Sequence, residues 1–452
     1  MPRKREGVEV TYQFEHCTGA TASAPLEWMR LAGWLFRFAP VGIGATPVAD
    51  AAGALSALLR TSPTRTPQAA GAGVDSTAGV RLRSIILPDG SKLVRSYDIG
   101  GQLVEVSYPD GQVVRYRGGG STITVLPGIP ARIVYSRDPS GQPRSIDYTC
   151  PSGDTDVFMY DWYPNGLLKR ISYPDGVTVQ YRWDTNGCLE AVTDGLSTIS
   201  YVWSGSRRLL RVVCSDGKRS LDLDLSVPDT VVIWQASDQK KSTQLISPLG
   251  IHGYDSSGRV SSLLRLDGNR IAFSYDSSGK IVCIHTGAGA TFIARTPSGD
   301  FASLVQPHGA RFCWCVGTQP GAILVVGDAS IARAECDSRS RLVELRDAAG
   351  SFVKYDYGRS DPGDCPRYIT SSRWGKVELQ YGPGERLKRV AWAGKGRCDF
   401  SYGPQGHLTD LRLKTARAHL FEIANLADWY FALRNVGPAT LADSLKWSHL
   451  IR

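Results

Sequence analysis

From about residue 80 onward, apolar and polar residues alternate in short runs that stop at glycine-containing turns. Val177, Val179, Tyr181 and Trp183 fall on every second position, as do Cys398, Phe400 and Tyr402. A period of two places such residues on one face of a β-strand. The stops themselves recur. An aromatic residue, often followed by Asp, precedes a glycine by four positions and an apolar residue by six. The pattern reads Tyr97-Asp98 with Gly101 and Leu103, Trp183-Asp184 with Gly187 and Leu189, Tyr254-Asp255 with Gly258 and Val260, and Tyr275-Asp276 with Gly279 and Ile281. Weaker copies start at Trp162, Trp203, Arg295, Cys336, Tyr381 and Tyr402, the last with Gly406 in the glycine position. In all ten copies an apolar residue stands six places after the start, and clean stretches step by 20 or 21 residues, as in 162, 183, 203 and 254, 275, 295.

A second marker lies midway between starts. Asp-Gly pairs stand at 89–90, 110–111, 175–176, 194–195, 216–217 and 267–268. Asp-Gly is a tight-turn signal, and a two-residue type I′ turn, with positive φ at both central residues, is the expected form. Each unit therefore carries two turns and two strands. A lone two-stranded hairpin is not stable in water, so each unit must bury its apolar face and pair its edges with neighbours. The aromatic before the turn is expected to pack against the next unit. The glycine takes a conformation that other residues avoid, and the Asp accepts bonds from turn amides.

The flanks differ. Residues 1–79 carry few strand signals. Within them, 25–38 has Leu26, Met29, Leu35 and Phe38 near helical spacing, 51–60 is rich in Ala and Leu, and 61–79 reads as a linker rich in Thr, Pro, Ala and Gly. After the array at 80–415, residues 416–452 offer a helical stripe of Leu420, Ile423, Ala424, Ala427 and Phe431, with a second short helix at 443–451. That tail is expected to cap the array, since terminal units of a repeat expose an apolar end.

Composition agrees with an all-β reading: 48 Gly, 19 Tyr and 11 Trp against 3 Met in 452 residues. The net charge of +9 is spread along the whole chain, and its densest cluster is the short Pro2-Arg3-Lys4-Arg5, so it reads as a solvated surface rather than a nucleic-acid footprint. The ten cysteines show no CxxC spacing. They read as scattered thiols of a β core, with disulfides left open by the even count. Met1 to Cys17 has no apolar core of a signal peptide. Residues 31–59 are apolar but broken by Arg37, Pro40, Pro47 and Asp50. They are read as a buried or capping helical segment, with membrane contact as the alternative.

Candidate chemistry adds little. None of the seven histidines stands at ligand spacing from a second histidine or a Glu, and His308-Gly309 and Gly406-His407 occupy turn positions. Gly118-Gly119-Gly120-Ser121 lacks the ending of a phosphate loop. Most carboxylates belong to turns. The sequence therefore points to no catalytic, metal or cofactor residues, and to a protein that is not an enzyme.

With ten copies in a locked period, the chain resembles the YD-repeat, or RHS, family. The segments that carry the resemblance best are YDSSGRVSSLLRLDGNRIAFSYDSSGKI (254–281) and YPDGVTVQYRWDTNGCLEAV (173–192), within about 330 residues of array. The resemblance implies tandem β-hairpins in a curved or spiralling sheet, a partial or complete hollow shell. It implies a scaffold that encapsulates or presents a toxin-type protein cargo or meets a secretion-system or surface partner. It also implies export, to the outside or the cell surface, after synthesis in the cytoplasm. Family shells are usually much larger, and RHS cores usually end in a DPxGL motif. The nearest match here, Asp138-Pro139-Ser140-Gly141, lies early, lacks the Leu and reads as another repeat turn. Two other classes remain. A surface module binding carbohydrate or protein would show clustered exposed aromatics. A polysaccharide hydrolase or lyase would, as a hydrolase, show two carboxylates roughly 5 to 9.5 Å apart.

Overall fold

Alternation and turn chemistry build two antiparallel sheets in which nearly every strand pairs with the next one in sequence. The computed structural model describes residues 11–16 and, with short interruptions at loops, 80–427. The helical segments expected at 25–38, 51–60 and 443–451, the stretch 31–59, and Gly101, Gly258, Gly406, Phe431, His308 and His407 lie outside the described residues. The N-terminal sheet has 15 strands, from Thr11–His16 to Ser220–Asp224. Its first strand is one that the sequence reading does not foresee; it pairs with Val80–Ile86. The C-terminal sheet starts at Asp229–Gln235. That strand lies beside the last one, Leu408–Ala416, in register from Asp229↔Ala416 to Gln235↔Asp410.

The repeat has a definite geometry. In every one of the ten copies the starting residue faces its sixth-following apolar residue directly across the hairpin, as in Trp183↔Leu189, Tyr275↔Ile281 and Tyr402↔Leu408, and the register slips at that pair. An eleventh copy, Arg137↔Pro143, has the same slip and holds the Asp138–Gly141 turn. The loop between is closed by Asp184 N–H to Cys188 O at 2.8 Å, with Gly187 N–H donating to Asp184 O at 3.0 Å and Gly187 at φ +76°. This is a three-residue loop ending in a left-handed glycine bulge. The Asp does what was expected of it: Asp184 Oδ1 accepts from Asn186 and Cys188 N–H, and Asp276 Oδ1 from Ser278 and Lys280 N–H.

Two expectations need correction. Among the described residues, the Asp-Gly turns are not type I′. At 175–176 the loop is one residue longer, closed by Tyr173 N–H to Val177 O, so only Gly176, at φ +81°, enters the left-handed region. At 194–195 and 216–217 the loop does have two residues, but the glycine comes first and the Asp stands outside it as the closing residue. The starting aromatic, in turn, reaches back to the preceding unit rather than forward. Trp183 Nε1–H donates to Leu168 O at 2.8 Å, Trp203 to Leu189 O at 2.7 Å, and Tyr402 Oη–H to Leu387 O at 2.8 Å; Tyr275 makes the same bond to Val260 O. Each acceptor belongs to the sixth-position apolar residue of the previous copy. The ring stays half-buried against the core while its polar edge closes this bond.

The core is asymmetric. In the N-terminal sheet one face is dry and one wet: along Thr178–Trp183, Val179 and Tyr181 are buried while Gln180 and Arg182 are exposed. In the C-terminal sheet, Gly250, Ile251 and His252 are all buried, as are the four consecutive residues Arg270, Ile271, Ala272 and Phe273. Near the end of the described chain, Leu420, Ile423, Ala424 and Ala427 are fully buried at helical spacing and join the same core.

Candidate functional site: the junction of the two sheets

The doubly buried strands are explained by what covers them. Turns and outward faces of the C-terminal sheet press against the dry face of the N-terminal sheet. That face presents tyrosines: Tyr148, Tyr160, Tyr173, Tyr181 and Tyr201 are all nearly or fully buried. Three of them, Tyr160, Tyr181 and Tyr201, stand two places before the repeat starts at 162, 183 and 203, so alternation turns them to the dry side.

The hydroxyls of Tyr148, Tyr181 and Tyr201, and of Tyr135 beside them, bond across the junction. Tyr201 Oη–H donates to Leu266 O at 2.9 Å and Tyr181 Oη–H to Gly268 O at 3.5 Å. Tyr135 and Tyr148 both reach Pro307 O, at 2.6 and 3.0 Å, and Tyr148 Oη accepts from Ala290 N–H at 3.0 Å. The acceptors lie in hairpin turns, whose carbonyls point outward and need partners. Burial pushes the hydroxyls of Tyr148, Tyr160, Tyr181 and Tyr201 well above the ordinary phenol range, so they stay neutral.

Two glycines allow the close approach. A Cβ on Gly289 (φ +115°) would meet Tyr148 Oη at 2.4 Å, and one on Gly268 (φ +81°) would meet Val192 Cγ2 at 2.9 Å. By contrast Gly176 (φ +81°) has nothing within 4 Å. The Asp267-Gly268 pair thus looks like the other Asp-Gly turns in sequence but is buried in the junction.

Between the turns lies a polar cluster. Arg270, almost fully buried, forms an ion pair of 2.5 Å with Asp175 of the opposite sheet and sits 4.7 Å from the Tyr173 ring centroid. His285 packs edge-on to Phe158 at 5.6 Å, and Phe158 to Tyr173 at 5.5 Å and Tyr148 at 5.9 Å. Tyr160 Oη, Tyr173 Oη, His285 Nε2 and one Arg270 nitrogen are buried here without a protein partner among the described residues. Burial lowers the His285 pKa, against the pull of Asp156 and Asp175. The sequence reading passed over Arg270 and His285, because nothing in their spacing marks them; they become a cluster only when the two sheets meet and bring Arg270 to Asp175, 95 residues away in sequence.

The residues that sequence did mark serve the hairpins. Tyr97, Trp183, Tyr254, Tyr275 and Tyr402 are half-buried against the core, and Asp98, Asp184, Asp255 and Asp276 stand at turns. They are spread along both sheets rather than gathered. Cys150, Cys188, Cys214, Cys283, Cys365 and Cys398 form no disulfide, and burial pushes Cys214 up to about 12, out of the reactive range. Among the described residues no three His, Cys, Asp or Glu side chains stand close enough to hold a metal, and no helix is long and apolar enough to cross a membrane.

Comparison with known proteins gives one relative of note. The toxin protein Tse5 of Pseudomonas aeruginosa is 26% identical over 223 residues, which is 45% of this chain and 17% of that protein. This chain thus spans less than a fifth of the length of that relative. No protein-family profile matches the sequence. Among solved structures, the TcdB2–TccC3 complex aligns with 73% of this chain and 28% of its own at 11% identity, and the Photorhabdus luminescens Tc holotoxin pore with 71% and 19% at 11%. Their TM-scores, 0.22 and 0.21, are far below that of a shared overall fold.

Proposed function

We propose, from the premise that this chain is a YD-repeat (RHS-type) β array, that it is a structural wall of a toxin-related protein. It holds or presents a protein cargo rather than transforming a substrate. The observation that carries this reading is where the repeat's polar groups go. The aromatic of one unit bonds the backbone of the unit before it, the Asp bonds its own turn, and the buried Tyr148, Tyr181 and Tyr201 bond the facing sheet. The signature residues serve wall-building, and what repeats eleven times is a structural device. The likeness to a toxin protein supports a cargo of that class and a place in an exported system. Every Trp and Tyr whose burial is described is at least partly covered, which favours this reading over a sugar-binding face built on clustered aromatics.

The test is capture of the tagged, full-length chain from its own host, followed by mass spectrometry and N-terminal sequencing. A protein retained in fixed ratio through high-salt washes is the expected result. Recovery of the chain alone, together with retention on a glycan array, would overturn the cargo reading.

A further inference from the structure

At one end of the C-terminal sheet, strands Tyr368–Ser371, Gly375–Tyr381, Leu387–Trp392, Gly396–Tyr402 and Leu408–Ala416 frame an open groove of about 650 Å³. That volume is in the range of a ligand site. Its walls carry two aromatic residues, Tyr368 and Trp392, and four cations, Lys376, Lys395, Arg397 and Lys414, against one carboxylate, Glu378.

Three features mark this groove as a site for an anion. The first is charge order. Several cross-strand pairs elsewhere join opposite charges, as in Glu105 with Arg115, Asp161 with Arg170, Glu344 with Lys354 and Arg389 with Asp399, while residues of like charge also stand opposite each other at Arg333↔Arg346 and Glu335↔Glu344. In the groove, Arg397 stands directly opposite Lys414, an arrangement that repels unless an anion intervenes. The second is spare charge. Arg397 shares Asp399 with Arg389, and Lys395 bonds Glu422 at 3.0 Å, but among the described residues no carboxylate pairs with Lys376 or Lys414. The third is preorganisation. Lys376 Nζ lies 3.6 Å from the centroid of Tyr368 and Lys395 Nζ 3.7 Å from that of Trp392. Ammonium groups resting on ring faces lose less side-chain freedom when an anion arrives.

We infer that this groove docks a short acidic peptide segment of a partner protein, with carboxylates meeting the Arg397–Lys414 pair and Lys376. Charge complementarity names the ligand class. The size of the site and the ion-paired face around it favour a short segment over a nucleic-acid strand, which needs a continuous basic track. The inference is independent of the cargo reading, since it concerns the outer end of one sheet.

Trp392 lines the groove, so fluorescence of the full-length chain titrated with hexaglutamate reports binding. Hexaglutamine, inorganic phosphate and a single-stranded oligonucleotide serve as competitors. The expected result is saturable binding of hexaglutamate that weakens with salt, as exposed charge contacts do. The double variant Lys376→Glu, Lys414→Glu should bind roughly tenfold or more weakly, while Lys92→Glu on the other sheet should not, with unfolding midpoints unchanged in both. The inference is overturned by absence of binding, by equal loss in the Lys92 control, or by phosphate or the oligonucleotide competing better than the peptide. If the double variant lowers the midpoint, Lys414→Gln replaces it. Unchanged affinity in that variant would also overturn the inference.

Discussion

The N-terminal sheet and the segment Gly250–Arg295 are made of the same repeat, yet they live in different solvents. On the first, each strand has a dry side and a wet side, and the wet side is laced with ion pairs such as Arg182–Glu190, in which both side chains are largely exposed. In the second, consecutive residues are buried and an ion pair across the junction, Arg270–Asp175, has its cation almost wholly withdrawn from water. The lesson is that the hairpin pattern specifies pairing within a sheet but not which sheet will be covered. Covering comes from tyrosine hydroxyls and small residues at the junction, Gly268 and Gly289 above all.

The comparison is sharpest along a single strand. Phe158 is fully buried against Tyr148, Tyr173 and His285, whereas Met159 beside it is 52% exposed. Phe158→Ala should cost about 3–5 kcal/mol in denaturant unfolding, and Met159→Ala less than about 0.5 kcal/mol. Equal costs would mean that the sheets do not face each other as described. Next come the glycines. Gly289→Ala combines a left-handed backbone with a clash and should cost about 3 kcal/mol; Gly176→Ala, with backbone strain alone, should cost about 1 kcal/mol. A third contrast sets Arg270→Ala, at about 2 kcal/mol or more, against Arg182→Ala, at no more than about 0.5 kcal/mol. Near-identical values would show the junction to be as wet as the outer face.

Two smaller effects refine the picture. His285 is held below its ordinary pKa by burial, so the unfolded chain takes up the proton first. Its contribution is therefore complete above about pH 6.5 and is lost as pH falls below that, toward the depressed value in the fold. His285→Gln should flatten the stability profile in that acid range, and an unchanged slope would remove His285 as its source. Finally, Arg207 takes the left-handed conformation, φ 59°, at the position where other copies have glycine. Arg207→Gly should raise stability by about 1 kcal/mol, read as a higher unfolding midpoint.

Much of this architecture was legible in the sequence because it is local. The step from Tyr275 to Ile281, the Asp276 turn and the left-handed glycine all lie within seven residues, and one period-two pattern fixes which side chains face inward. Reading Asp-Gly as type I′ failed because dipeptide identity does not set loop length. The hydrogen bond closing Tyr173 to Val177 decides that, and it depends on where the flanking strands come into register. The junction was illegible for a different reason. Arg270 and Asp175 are ordinary residues of ordinary hairpins until the two sheets fold together.

The backward reach of each starting aromatic gives the array a polarity in time. The carbonyl that Trp203 needs, on Leu189, and the one that Trp183 needs, on Leu168, are both made before their donors leave the ribosome. Each new hairpin therefore finds its latch already in place, and assembly can advance in step with synthesis like a ratchet. Cutting the chain from its end should then leave every earlier latch closed, whereas cutting from its beginning strips acceptors from donors that remain.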